Sequence, residues 1–146
     1  MPMKTFSLEE AQTLVPVLDS LLKNAIQWKR KAEENALALQ QLNQRIFLNG
    51  GTLISIEKIA RQRAEQEHAV QRVKDAIAEI DAIGVQLKDL DNGLLDFPCR
   101  LGEEIVLLCW KMGEAEITHW HTMDAGFAGR KAIDERFRRA PRQKPN

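Results

Sequence analysis

The stretch LVPVLDSLLKNAIQWKRKAEENALALQQLNQRI, residues 14–46, decides the fold. Its apolar positions step by four and three: Leu14, Leu18, Leu21, Ala25, Trp28, Ala32, then polar Asn35, then Leu39, Leu42 and Ile46. That spacing keeps one stripe of side chains on a single helix face, so the run predicts one long helix with a coiled-coil-like seam that needs a helical partner. It determines architecture and says nothing of chemistry.

Reading outward, the helix has a marked beginning. Ser7 with Glu10 three residues on forms a capping box, and Phe6 before the cap can fold back as a staple on Ala11 or Leu14. Pro16 removes a bond to the Gln12 carbonyl, which predicts a kink or a short first helix docked at an angle. Asn49-Gly50-Gly51 breaks the pattern, and residues 54–83 carry a second helix that ends with Gly84 in the C′ position. So short a connection makes the two helices an antiparallel hairpin. Folding about the glycine pair sets Trp28 near Val73, Leu21 near Ile80 and Asn35 near Gln66.

The base of this hairpin (Val15, Val17, Leu18, Leu22 and Ile26 with Val70, Val73, Ile77, Ile80 and Ile83) is apolar over more than one face, so residues 85–130 are expected to pack there. The middle carries Glu33, Glu34, Arg61, Arg63, Glu65 and Glu67. Helices of this length reach roughly 45–60 Å at 1.5 Å per residue, more than so small a remainder can cover. The distal half is therefore expected to pair with another subunit, as a dimer or higher homo-oligomer, or to stand as a charged arm.

Composition narrows the class. A chain of 146 residues with 44% hydrophobic content is one domain with a moderate core. Lys+Arg and Asp+Glu both total 21, which argues against a globally basic nucleic-acid binder. No window approaches the roughly 18 apolar residues of a membrane span, and the N-terminal MPMKTFSLEE has no signal-peptide core. The expected location is cytoplasmic with no membrane partner, and the two cysteines, Cys99 and Cys109, are expected as thiols.

After Gly84 the periodicity changes. GLLDFPCR at 93–100 and EIVLLCW at 104–110 predict two short strands joined by a tight turn at Leu101-Gly102-Glu103. Cys99 and Cys109 could then lie close across the hairpin, either as buried thiols in an apolar patch or as a metal or redox pair. Pro98 cannot donate a ladder hydrogen bond, so its strand is expected at an edge.

The chemistry-bearing block is CWKMGEAEITHWHTMDAGFAGR at 109–130, with His119, His121, Glu114, Glu116, Asp124 and Arg130. His119 and His121 share one face of a strand, and two imidazoles with a carboxylate suit a divalent transition metal such as zinc or non-haem iron. The competing reading is an amphipathic core edge whose imidazoles bond nearby backbone or carboxylate groups. Other motifs fail on geometry. In Asp89-Leu-Asp-Asn-Gly93 the glycine comes one residue early for a calcium loop and the twelfth position is Arg100. Glu65-Gln-Glu-His68 and Glu116-Ile-Thr-His119 share the Glu-x-x-His spacing of di-iron bundles, but Val70 and Val73 set the inward face and turn His68 outward. No Gly-rich phosphate loop, Gly-x-Ser-x-Gly elbow or Cys-x-x-Cys knuckle occurs. Charge is uneven: residues 89–116 hold seven acids against Arg100 and Lys111, and residues 130–146 hold seven bases against Asp134 and Glu135.

Phe6-Ser-Leu-Glu-Glu-Ala11 with Leu14 and Pro16, Gly84-Val-Gln-Leu-Lys-Asp-Leu-Asp91 with Gly93 and Asp96-Phe-Pro98, Leu108-Cys-Trp110, Gly113-Glu114, Glu116-Ile117, Trp120-His121 and Gly126-Phe-Ala-Gly-Arg130 together resemble domain-of-unknown-function family 2203, small prokaryotic proteins. The resemblance spans residues 6 to about 133. It brings no activity; it implies that Asp89, Asp91, Asp96, Glu114, His121 and Arg130 are the positions matching the family's pattern. His119 stands where the family often has an aromatic residue and Cys99 where a small residue is usual, so the resemblance favours Glu114 and His121.

The expected fold is mainly α, a long antiparallel two-helix hairpin with a small β-hairpin or irregular C-terminal subdomain on its base. Residues 1–133 form the domain and 134–146 a basic, mobile tail able to meet nucleic acid or an acidic partner. Two functions are open. One is a non-enzymatic oligomeric interaction or scaffold protein acting through the hairpin. The other is a small metal-dependent enzyme or metal-binding protein, with Glu114, His121, Asp124 and Arg130 as catalytic candidates and Glu114, His119, His121 and Asp96 as metal candidates, in a cleft between strands and helix base.

Overall fold

The computed structural model describes residues 3–48 and 56–139. Two long helices, α1 (Leu8–Leu48) and α2 (Ile56–Ile83), pack on each other and precede β1 (Gln86–Asp89), β2 (Leu94–Leu101), β3 (Glu104–Lys111), β4 (His119–His121), β5 (Lys131–Ala132) and α3 (Glu135–Arg139). The strands form one antiparallel sheet in chain order, β1-β2-β3-β4-β5. Helix makes up 59% and strand 19% of the described residues, and the expected two-stranded hairpin is the centre of a five-stranded sheet. By contacts the chain divides into a sheet unit, Met1–Leu22 with Ile77–Asn146, and a two-helix unit, Lys23–Ala76.

The capping box forms as read. Ser7 N–H donates to Glu10 Oε1 at 2.9 Å and Glu10 N–H donates to Ser7 Oγ at 3.0 Å. Pro16 lies inside α1 without ending it, which corrects the expectation of a separate first helix. The flanking Ala11, Val15 and Leu18 are all buried in the core, and burying that face offsets the one hydrogen bond that proline removes. At the other end Gly84, at φ 102, ends α2 as expected. The Asn49-Gly50-Gly51 break and the start of the second helix at Ile54 lie outside the described residues.

In the two-helix unit Ala25, Ala32 and Leu42 are buried on α1, and Ala69 and Ala76 on α2. Trp28 meets α2 at His68, ring edge to face at 5.2 Å, and at Arg72, whose guanidinium lies 5.4 Å over the indole. His68 is exposed as expected, yet it leans on Trp28 instead of standing clear in water. In the sheet unit the buried face of α1 is wider than one stripe: Val15, Leu18 and Leu22 are fully buried while Leu14 and Leu21 pack at the margin. The sheet claims the extra face. Val17, expected at the base core, is exposed.

The core of the sheet unit joins those helical residues and Ile80 to alternate strand positions: Leu95, Phe97 and Cys99 on β2, Val106, Leu108 and Trp110 on β3, and Trp120 on β4. Period-two alternation sends the intervening residues to the opposite face. There too the centre is buried, at Asp96, Pro98, Leu107, Cys109 and His121.

Pro98 is not on an edge strand, since β2 pairs with both β1 and β3. The expectation fails because β1 pairs only as far as Asp96. Residue 98 lies beyond it, and there the Pro98 carbonyl accepts the Phe6 N–H at 2.7 Å. The missing proline N–H points to that same flank and interrupts no ladder. Phe6 then sets its ring edge-on to Phe97 at 5.9 Å.

Candidate functional site

A two-residue turn decides what meets on the polar face of the sheet. Leu101 pairs with Glu104 across Gly102 and Glu103, and Gly102 has φ 66, a conformation glycine adopts without the strain a side chain would bring. That register sets Asp96 opposite Cys109, and Cys99 opposite Val106. The two cysteines therefore lie on different faces of the sheet, which corrects the expectation that they could approach each other. Cys99 belongs to the apolar core.

His121 follows from the next pairing. Cys109 is opposite His119 and Leu107 is opposite His121, so His121 is the diagonal neighbour of Cys109 on the same face. Asp96, Cys109 and His121 each present one donor atom, and the three atoms lie within 4.8 Å of one another. All three are buried, Asp96 and His121 at 2% exposure and Cys109 at 0%. His121 Nε2 is 3.1 Å from Asp96 Oδ2, and Nδ1 is 2.7 Å from the Thr122 carbonyl. A carbonyl only accepts, so the Nδ1 proton belongs there and Nε2 faces the carboxylate. Among the described residues Asp96 Oδ1 is buried with no well-placed hydrogen-bond partner, and the carboxylate faces the Cys109 thiol.

Burial pushes the Cys109 thiol up to about 12, with the facing Asp96 carboxylate adding to the rise and the Arg130 guanidinium opposing it. Such a thiol holds its proton at neutral pH and is no nucleophile. Geometry agrees, because the imidazole spends its two nitrogens on Thr122 and Asp96 and has none left to act as base for the sulfur.

The other candidates are bonded to partners outside this trio. Glu114 pairs with Arg130, whose Nη2 donates to both carboxylate oxygens at 3.1 and 3.0 Å. Glu114 Oε1 also accepts the Lys111 N–H at 2.7 Å, and the guanidinium lies 4.7 Å over Phe127. Glu114 and Arg130 thus hold each other, while His121 pairs with Asp96. His119 is half-exposed with Nδ1 2.8 Å from Thr118 Oγ1, and exposed Asp124 accepts the Thr122 hydroxyl at 2.9 Å. The cleft anticipated between strands and helix base is not where the trio sits; it occupies the sheet face turned from the helices. Cys109 is the residue that sequence reasoning passed over as a buried thiol. The turn holds the missing signal, because a Gly-Glu two-residue loop fixes 96 opposite 109.

A second region lies in the two-helix unit. Ala36, Leu39, Gln40, Asn43, Gln44 and Phe47 of α1 line an open groove of about 920 Å³ with Gln66 of α2. Phe47 is 85% exposed and Leu48 78%. The basic C-terminal segment is partly committed: Arg136 pairs with Asp134 at 2.8 Å, and Phe137 of α3 is buried against Trp120. Residues 140–146 lie outside the described residues.

A family described as Uncharacterized conserved protein (DUF2203) matches residues 4–133. No curated protein and no solved structure matches the chain.

Proposed function

The chain belongs to the DUF2203 family, and from the geometry of its two-helix unit we propose that it is a non-enzymatic interaction protein that pairs this unit with that of a second copy. The observation that carries the reading is the groove on α1. Its positions 36, 39, 40, 43, 44 and 47 recur at helical spacing and include no charged side chain, in a chain where 29% of residues are charged. In an isologous contact a surface meets itself, so a charged face would set like against like while an uncharged one does not. Leu37, Leu48 and Ile56 add large exposed apolar side chains to the same unit, more than a solvated surface needs.

Size supports a second copy as the occupant. Two helices lying side by side over roughly 35 Å, each about 10 Å wide, present about 700 Å². A standard interface uses about 800 Å² per partner. The glutamines and Asn43 on the groove floor can exchange amide hydrogen bonds with their counterparts across a two-fold axis.

Light scattering on size-fractionated protein should return twice the chain mass of 16.6 kDa. Leu39→Glu and Phe47→Glu, each placing like charges across the axis, should return the single-chain mass with unchanged helical circular dichroism. Wild-type protein that stays at one chain mass at every concentration, or dimers that survive both substitutions, would rule the reading out.

A further inference from the structure

We infer that Asp96, Cys109 and His121 form a divalent transition-metal site on the sheet, with Zn²⁺ the ion best matched to it. The site shares no residue with the groove of the two-helix unit and stands or falls separately from self-association.

Counting donors and acceptors makes the case. Nδ1 of His121 spends its proton on the Thr122 carbonyl, which leaves the Nε2 lone pair aimed at a carboxylate oxygen 3.1 Å away. Two acceptors face to face require a cation between them, either a proton or a metal ion. A proton joins Nε2 to Oδ2 and does nothing for Oδ1, which among the described residues has no well-placed hydrogen-bond partner, the weak S–H donor of Cys109 alone facing the carboxylate. Leaving such an atom unsatisfied costs about 1–3 kcal/mol. A metal ion instead engages the imidazole, the carboxylate and the sulfur together.

Charge points the same way. A divalent ion with one thiolate and one carboxylate is neutral overall, the least costly state for a buried site. The nearest other charges cancel, since Arg130 is held by Glu114. Binding releases two protons to solvent, one from the Cys109 thiol and one from the His121 and Asp96 contact, with no change in oxidation state.

The donor set selects the metal. Sulfur with imidazole favours zinc-like ions, whereas magnesium and calcium want oxygen alone. Tetrahedral zinc with bonds of about 2.0–2.3 Å sets its ligand atoms roughly 3.3–3.8 Å apart. The 3.1 Å contact and the 4.8 Å outer limit bracket that range, so side-chain rotations of about 1 Å complete the shell. The Thr122 carbonyl on Nδ1 is the orienting contact that metal-bound histidines ordinarily have. Three protein ligands leave a fourth position for water or a small ligand. Strand register supplies the rigidity, since all three residues lie at paired positions of the neighbouring strands β2, β3 and β4.

The test uses the full chain stripped with a chelator and titrated with Co²⁺, then displaced by Zn²⁺. One Co²⁺ per chain should bind, with an intense thiolate-to-metal charge-transfer band and visible bands of tetrahedral strength. Cys109→Ser should abolish the charge-transfer band and weaken Zn²⁺ by roughly a hundredfold or more, and the near-isosteric Asp96→Asn should weaken it by about tenfold or more. Cys99→Ser, altered on the other face of the sheet, should bind as wild type. If a site variant fails to fold, X-ray absorption on zinc-loaded wild type decides, with one sulfur and the remainder nitrogen or oxygen expected. Absence of stoichiometric binding, a cobalt spectrum without the thiolate band, or a band lost in Cys99→Ser and kept in Cys109→Ser would overturn the inference and leave the trio a buried hydrogen-bonded pair with a bystander thiol.

Discussion

Replacing His121 by alanine in chelator-treated protein strips Asp96 of the imidazole that lies 3.1 Å from its carboxylate, in a place where both side chains are 3% exposed. Breaking a buried pair in this way costs about 3–5 kcal/mol, because the surviving charge is stranded away from water. Urea unfolding followed by circular dichroism reads the loss. With a slope of about 1.5–2 kcal/mol per molar urea, the midpoint should fall by roughly 2 M. The reciprocal Asp96→Ala should cost a similar amount, since Nε2 then loses the oxygen it faces. The double variant is the sharper arm: with both polar groups gone nothing is stranded, so its cost should undershoot the summed single costs by about 2 kcal/mol or more. Single losses under about 1 kcal/mol, or costs additive to within about 0.5 kcal/mol, would refute the reasoning that these groups depend on each other.

Cys99 gives a pH prediction. Burial, reinforced by the Glu10 carboxylate, lifts its thiol from 9.0 to about 11. The folded chain then holds a proton that the unfolded chain releases above pH 9, so stability is full below pH 9 and falls as pH rises through 11. The urea midpoint of wild type should drop more steeply over that window than that of Cys99→Ala. Neither thiol should react with Ellman's reagent at pH 8 until urea unfolds the chain, since Cys99 and Cys109 are both buried. Gly93→Ala should cost about 2–4 kcal/mol in the same urea assay, because φ is +65 and the new Cβ would sit 2.5 Å from the Met112 Cβ. Ser7→Ala, which removes the hydroxyl that caps Glu10 N–H, should lower stability by about 1 kcal/mol with helix content unchanged.

The helices were legible because their information is local. A 4-3 stripe, the Ser7 and Glu10 pair and the terminal Gly84 each act within a turn of chain, and each is found in place. The sheet was legible only at its centre. β2 and β3 have a dense apolar pattern, whereas β1, β4 and β5, with four, three and two residues, are too short for period two to stand out and exist through their pairing. Pro98 misled because an edge was inferred for a whole strand when only one residue needed an open flank, and Phe6 arrives there.

For the site, one residue of turn length made the difference. Centring the turn on a three-residue Leu101-Gly102-Glu103 sets Asp96 opposite Leu108, an apolar partner that belongs to the other face. The two-residue turn moves the partner to Cys109 and turns two unrelated side chains into neighbours. Asp96 and His121 were chosen from residue type and family pattern, and Glu114 and Arg130 came from the same reasoning. Type cannot tell which carboxylate goes to the histidine and which to the arginine. That choice is made by the strand register for Asp96 and by the chain after β4, which returns Arg130 to Glu114.

His121 holds Nε2 toward Asp96 and Cys109 while Nδ1 is tied to Thr122, and long-range ¹H–¹⁵N spectra of the imidazoles measure that directly. In the chelated protein His121 should show a protonated, slowly exchanging Nδ1, and added Zn²⁺ should move its Nε2 resonance to a metal-bound position while His68 and His119 stay where they were. A His121 ring whose Nδ1 lacks the proton, or exchanges it freely with water, would contradict this arrangement.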